Sequence, residues 1–196
     1  LRVLLIKLVD RLHNMRTLQY HNRPSQVRIA RETQDIYAPL ANRLGIYWLQ
    51  VELEELSLKY LDPDGYHMLK TKLDAIAKEK EGYLQDIIAQ IQAKLSEANI
   101  PSDIKSRIKH INSVYQKLKR QGQGVSFENV YDVLGVRVIV DTVGECYETL
   151  GIIHSMWKPI QSRIKDFIAM PKANMYQSLH TTVFGPGGER IEIQIR

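Results

Sequence analysis

The chain has 196 residues, a formal net charge of +5 and a pI near 9.2, with 25% charged and 44% apolar residues, the balance of an ordinary soluble globular protein. A single cysteine, Cys146, excludes an internal disulfide and fits a reducing cytoplasm. No apolar run approaches the ~20 residues of a membrane span, and no signal peptide is visible. The positive balance points to anionic partners (nucleotides, RNA or a membrane surface) without choosing among them.

Leu1–Leu18 places apolar residues at helical spacing, with Asp10, Asn14 and Thr17 sharing one face. His13 and His21 read as ordinary surface or helix-end histidines. Pro24-Ser25 opens a second helix expected to run to Leu44, with Pro39 kinking or splitting it. Gly45 marks a stop, and Ile46–Leu61 resumes as helix with an acidic, solvated face of Glu52, Glu54 and Glu55. Asp62-Pro63 is a cap followed by proline at the first helical position. A long charged helix is then expected from Asp64 to Ala98, bent at Gly82 and packed through a single apolar stripe. Asn99-Ile100-Pro101 ends it at a domain boundary. The chain starts inside a helical pattern and stops inside a strand, so it is expected to be a piece of something longer.

From Ser102 the period changes. Lys105, Arg107 and Lys109 alternate with Ile104, Ser106 and Ile108, as in a short strand with one basic face. Ile111–Arg120 follows as a helix with Ser113 and Lys117 one turn apart. A basic strand leading into such a helix suits a triphosphate, although a KLKR run is also a common solvated helix end. Val130–Asp141 reads as a buried strand carrying Asp132 and Arg137. Those positions have opposite parity, so a bend or bulge at Gly135 is expected to bring both to one site. Glu145–Trp157 is an amphipathic helix whose Tyr147, Leu150, Ile153 and Trp157 look like core, with Cys146 a small core residue and His154 in a packing role.

Lys165–Met170 is apolar enough for a core strand, broken by Pro171-Lys172-Ala173-Asn174. Leu179–Phe184 is a second strand, Gly185–Gly188 a turn, and Arg190–Arg196 a third strand alternating Ile191, Ile193 and Ile195 with Glu192 and Gln194. Arg163, Lys165, Lys172, Asn174, Tyr176, Gln177 and His180 gather around the loop. Cations beside an aromatic ring suit a nucleotide, while a solvated hairpin with a basic rim fits the composition equally well.

KLVDRLHNMRT, SRIKHINSVYQKLKR and MPKANMYQSLHTTVFGPGGERIEIQIR together resemble the RelA/SpoT-homologue family, the (p)ppGpp synthetases and hydrolases. The last stretch is similar to the family's signature block, and the resemblance covers essentially the whole chain. It implies an α+β chain in three parts. Residues 1–61 would be the end of an HD-type all-α hydrolase domain and 62–101 a helical connector. Residues 102–196 would be a synthetase domain, cut short at its C-terminus, with a nucleotidyltransferase-like mixed sheet flanked by helices. The second stretch departs from the family pattern at Ser106, Ile108 and Asn112, which stand for a glycine, a proline and an aromatic residue.

The implied reaction moves pyrophosphate from ATP to the ribose 3′-hydroxyl of GDP or GTP, leaving AMP. By the resemblance, Asp132 and Glu192 are catalytic and hold Mg²⁺, with Glu192 also able to take the hydroxyl proton. Arg107 and Arg137 sandwich adenine, and Lys109, Ser113 and Lys117 meet the ATP phosphates. Arg163, Lys165, Lys172, Asn174 and His180 serve the phosphates and acceptor, and Tyr176 stacks on guanine. Asp10 matches a Mn²⁺ ligand of the hydrolase site and Asn14 and Thr17 its substrate contacts. The other hydrolase ligands would lie upstream of Leu1, so hydrolysis is expected of the longer parent and not of this stretch. Arg163-Ile164-Lys165-Asp166 resembles the basic RxKD form of bifunctional members. Expected partners are the two nucleotides, the hydrolase and regulatory segments of the parent, and the ribosome through a region beyond Arg196. A catalytically silent nucleotide- or RNA-binding fragment is the alternative, as is a hydrolase piece with a regulatory C-terminal fold.

Overall fold

A computed structural model describes residues 2–120 and 134–196. These contain helices α1 (Arg2–Arg16), α2 (Arg23–Glu32), α3 (Ala38–Arg43), α4 (Tyr47–Leu61), α5 (Pro63–Glu97), α6 (Ile111–Arg120) and α7 (Val143–Met156). The strands are β1 (Asp103–Ile108), β2 (Leu134–Ile139), β3 (Lys165–Asp166), β4 (Leu179–Phe184) and β5 (Arg190–Ile195). The fold is α+β. Its described residues group into two compact units, one within Leu1–Lys72 and His110–Val125, the other within Leu73–Lys109 and Ser126–Arg196.

The first unit is helical. Leu8, Leu12, Met15 and Leu18 from α1 and the turn after it meet Ala30, Ala38, Ala41, Leu49, Leu53 and Tyr60 in one core. Asn22 caps α2 by accepting from the Ser25 amide at 3.0 Å. The helix expected to run to Leu44 with a kink or split at Pro39 is interrupted just before that proline, by a π-helical turn over Thr33–Tyr37. Pro39 explains it: the ring has no N–H to donate and crowds the carbonyl four residues back, so the chain widens there rather than ending. The acidic face of α4 also differs from expectation, being engaged rather than merely solvated. Glu52 takes two hydrogen bonds from Arg16, at 2.6 and 2.8 Å. Glu54 accepts from Gln50 at 2.8 Å and from Asn112 at 2.9 Å. Glu55 accepts from Tyr66 at 3.3 Å. Asn112, on α6, is thus a buried amide facing Glu54 where the family pattern has an aromatic residue.

Asp62 caps α5 as expected, accepting from the Gly65 amide at 3.0 Å. The helix runs unbroken through Gly82 to Glu97, so the expected bend is not a break. Asn99 leaves it in the left-handed region at φ 57°.

In the second unit the sheet order is β1-β2-β5-β4-β3, with β2 and β5 parallel and the other neighbours antiparallel. One face is apolar: Val136 and Val138, Ile191, Ile193 and Ile195, and Leu179 and Val183 pack on Leu84, Ile87, Ile91 and Leu95 of α5 and on Cys146 and Ile153 of α7. Burying isoleucine and valine at alternate positions stabilises each strand by ~1.5–3 kcal/mol per side chain and fixes which face the polar residues must take. A full capping box starts α7, with Thr142 and Glu145 satisfying each other's backbone amides. Tyr147 departs from its expected core role, being 41% exposed. His154 meets Thr181 Oγ1 at 2.9 Å on the apolar side, and burial pushes its pKa down.

The expected core strand Lys165–Met170 is overturned after its first two residues. Asp166 Oδ1 accepts from the Ile168 and Ala169 amides at 2.9 and 2.8 Å, and this side-chain turn closes the chain away from the sheet. Gly187 and Gly188, at φ 73° and 77°, supply the left-handed turn between β4 and β5.

Candidate functional site

The polar face of the sheet follows from strand parity. Across the strands, Arg107 faces Gly135, Gly135 faces Glu192, and Glu192 faces Thr182. The next row runs Lys105, Arg137, Gln194, His180 and Lys165. Side chains two residues apart share a face. Arg107, Arg137, Lys165, His180 and Glu192, chosen from separate stretches of sequence, therefore lie on one surface.

Gly135 controls the centre of that surface. A Cβ there would run into the Glu192 carbonyl oxygen of the neighbouring strand. With no side chain on β2 in that row, Arg107 reaches across it to place Nη1 3.5 Å from Glu192 Oε2. Gly135 is regularly paired on both sides, so the bulge expected there is not found. Asp132 lies outside the described residues.

Glu192 is mostly buried, with 20% of its side chain exposed. Burial pushes its carboxyl pKa up, but the balance falls the other way: His180, Lys109 and Arg107 together hold it below the usual carboxylate range. His180 Nδ1 stands 3.6 Å from Glu192 Oε1, and its Nε2 is 3.0 Å from the Tyr176 hydroxyl. With Tyr176 donating to Nε2, the Nδ1–H faces the carboxylate.

The loop after β3 packs beside this pair. Asn174 Oδ1 accepts from the Tyr176 amide at 3.2 Å, and Met175 between them adopts φ 61°. The Tyr176 and His180 rings meet edge to face at 6.0 Å. Lys172 Nζ stands 4.5 Å from the centre of the Phe167 ring and 5.0 Å from that of Tyr176. Arg163 lies in an exposed 3₁₀ turn before β3. Ser113 and Lys117 lie on α6, in the helical unit.

In α1, Asn14 Nδ2 donates to Asp10 Oδ2 at 3.3 Å, confirming one shared face. The Thr17 hydroxyl is turned to the His13 carbonyl at 3.0 Å. Among the described residues no three His, Cys, Asp or Glu groups converge as a metal cluster. Glu192, kept anionic, nevertheless offers the hard oxygen donors a divalent cation takes.

Sequence reasoning did not single out Phe167, Thr182 or Gln194. Gln194 and Thr182 were legible in principle, since each shares strand parity with a chosen residue. Phe167 was hidden by the strand expected at its position.

Residues 106–196 match the family described as the region found in RelA / SpoT proteins, and residues 1–47 match an HD domain. A GTP pyrophosphokinase of Myxococcus xanthus is 51% identical over 196 residues, all of this chain and 26% of that protein. One from Streptomyces coelicolor is 49% identical over 195 residues, covering 100% of this chain and 23% of its own. The GTP pyrophosphokinase rsh of Brucella melitensis is 46% identical over 195 residues, again 100% of this chain and 26% of that protein. The chain thus spans about a quarter of the length of these curated relatives. Among solved structures, small alarmone synthetase 1 from Bacillus subtilis bound to its product pppGpp superposes with TM-score 0.51 at 17% identity, over 64% of this chain and 73% of that one. A GTP pyrophosphokinase family protein from Streptococcus pneumoniae gives TM-score 0.50 at 22% identity, over 64% and 69%. At these identities the structural likeness is one of fold.

Proposed function

Since the chain belongs to the RelA/SpoT-homologue family, we propose that it carries the synthetase site of a (p)ppGpp-making enzyme, transferring pyrophosphate from ATP to the 3′-hydroxyl of GDP or GTP. The observation that carries this reading is the polar sheet face, where Arg107 of β1 and His180 of β4 meet one carboxylate, Glu192, beside an aromatic loop. The names of the curated relatives, GTP pyrophosphokinases, support the same chemistry. Residues 1–61 are assigned to the end of an HD hydrolase domain, 62–101 to a connector and 102–196 to the synthetase. The parent is read as bifunctional and cytoplasmic; no helix among the described residues is long and apolar enough to cross a membrane.

In the proposed reaction the acceptor 3′-oxygen forms a bond to the β-phosphorus of ATP. The bond from that phosphorus to the α–β bridging oxygen breaks, and AMP leaves with the electron pair. The hydroxyl proton passes to Glu192. A carboxylate held below its usual range is a weak base, so Glu192 receives the proton as the new bond forms and acts chiefly by its charge. Glu192 and Asp132 would hold Mg²⁺, whose charge offsets that of the transferring phosphates when it is bound. A Mn²⁺ ion in the longer parent's hydrolase site would similarly engage Asp10, with Asn14 and Thr17 toward substrate.

Arg107 and Arg137 are assigned to adenine, and Lys109, Ser113 and Lys117 to the ATP phosphates. Arg163, Lys165, Lys172, Asn174 and His180 are assigned to the acceptor side, and Tyr176 to the guanine face. Holding both nucleotides in line supplies most of the acceleration.

The test is to incubate the full-length protein with Mg²⁺, GDP or GTP, and ATP labelled in its terminal phosphates. Label appearing in a more highly phosphorylated guanosine, with AMP formed in step, is the expected result. Binding of both nucleotides with no transfer would leave a silent binding module and sink the enzyme reading.

A further inference from the structure

We propose that Phe167 is a positioning residue of the acceptor half-site, setting Lys172, Tyr176 and His180 as one group, a role that rests on the function proposed above. Its backbone is fixed from both sides. The Phe167 amide donates to the Ser178 carbonyl at 2.9 Å, tying it to the start of β4. Asp166, just before it, turns the following chain with Oδ1 and accepts from the Tyr147 hydroxyl on Oδ2 at 2.9 Å. The exposed tyrosine of α7 thereby anchors the turn that aims the Phe167 ring.

That ring touches each of the three polar residues. It meets the His180 ring edge to face at 5.2 Å and the Tyr176 ring at 6.2 Å. Its face lies 4.5 Å from the Lys172 ammonium, which is also 5.0 Å from the Tyr176 ring centre. The proposed role of Phe167 is exercised through these three neighbours. The attraction of an ammonium to a ring face is weak and non-covalent. Lys172 is therefore held near the place where phosphates are expected, yet released readily to them. Its departure exposes the Tyr176 face to a purine, which links recognition of the acceptor's base to recognition of its phosphates. An aliphatic side chain would fill the same space but offer neither a face for Lys172 nor an edge for the two rings.

The experiment compares wild type, Phe167→Leu and Phe167→Tyr in the full-length protein, reading KM for GDP, KM for ATP, kcat and the thermal midpoint. Losing the ring should raise KM for GDP roughly fivefold, the scale of one cation–π contact. KM for ATP and the midpoint should stay unchanged, and Phe167→Tyr should restore the wild-type values. An equal rise in both KM values, no rise, or failure of the tyrosine variant to restore would overturn the role. If wild type transfers nothing, the proposed function falls, and hydrogen exchange then decides Phe167 separately. Faster exchange confined to the Lys172–Tyr176 amides in Phe167→Leu supports the positioning role, and unchanged exchange refutes it.

Discussion

At Glu192 burial and charge pull in opposite directions. Burial alone would favour the neutral acid, yet His180, Lys109 and Arg107 keep the carboxylate ionised below the usual range. Glu192→Gln retains the shape and removes the charge. Transfer should fall by ~10²–10³, the scale of one lost electrostatic stabiliser, while calorimetry still finds ATP and GDP bound. The same shift fixes a pH dependence. A carboxylate whose folded pKa is depressed adds stability that is complete above its unfolded value, about 4.3 for glutamate. This stability is lost as pH falls from there through the lower folded value. Urea unfolding of wild type and Glu192→Gln across that window should show their difference shrinking toward acid pH. A difference that held constant or grew would mean that the carboxylate is not stabilised by its neighbours.

At the level of elements, β2 and β5 approach closely because Gly135 has no side chain. In Gly135→Ala the new methyl would meet the Glu192 carbonyl oxygen, so either the parallel pair opens or the strand shifts. Overpacking of this kind costs about 1–3 kcal/mol, to be read as a lower urea midpoint with an unchanged slope. Because Arg107 crosses the gap at Gly135 to reach Glu192, the variant should also lose transfer activity. For α7 the Thr142–Glu145 box is the local start signal. Thr142→Ala should cost about 1 kcal/mol by the same measurement, with KM values unmoved. The turn that replaces the expected strand after Asp166 shows the limit of local reading. Of six residues of strand-like composition, the last four lost the strand to a single carboxylate able to bind two amides.

For the whole chain, the net charge of +5 and the cationic sheet face imply that nucleotide binding is coupled to both stability and salt. Saturating ATP or GDP, at about a hundred times its dissociation constant, should raise unfolding stability by ~2.7 kcal/mol. The gain should shrink as ionic strength rises, because exposed cations on the site's rim are screened over about 10 Å at 0.1 M salt. A stabilisation indifferent to salt would mean that apolar stacking, rather than the lysines and arginines, dominates affinity. The helical unit carries the Asp10–Asn14 pair, and its core is separate from that of the sheet unit.

The sequence by itself determined the order of helices and strands, the polar alternation of β1 and β5, and the family, because each is written in local spacing or in a contiguous motif. Asp62 announces a helix start through a short-range hydrogen bond that needs no distant partner, while the caps made by Asn22 and Thr142, equally local, emerged only with the structure. Only the tertiary structure decided which strands adjoin. That choice places Glu192 of β5 beside Gly135 of β2, brings Arg107 across the gap, and stands His180 between Glu192 and Tyr176. It also turned Phe167 from an expected strand residue into the ring beneath Lys172. Parity tells which face a side chain takes, but register between strands distant in sequence comes from burying the isoleucines and valines of the opposite face against α5 and α7. That packing is a collective property no single stretch contains.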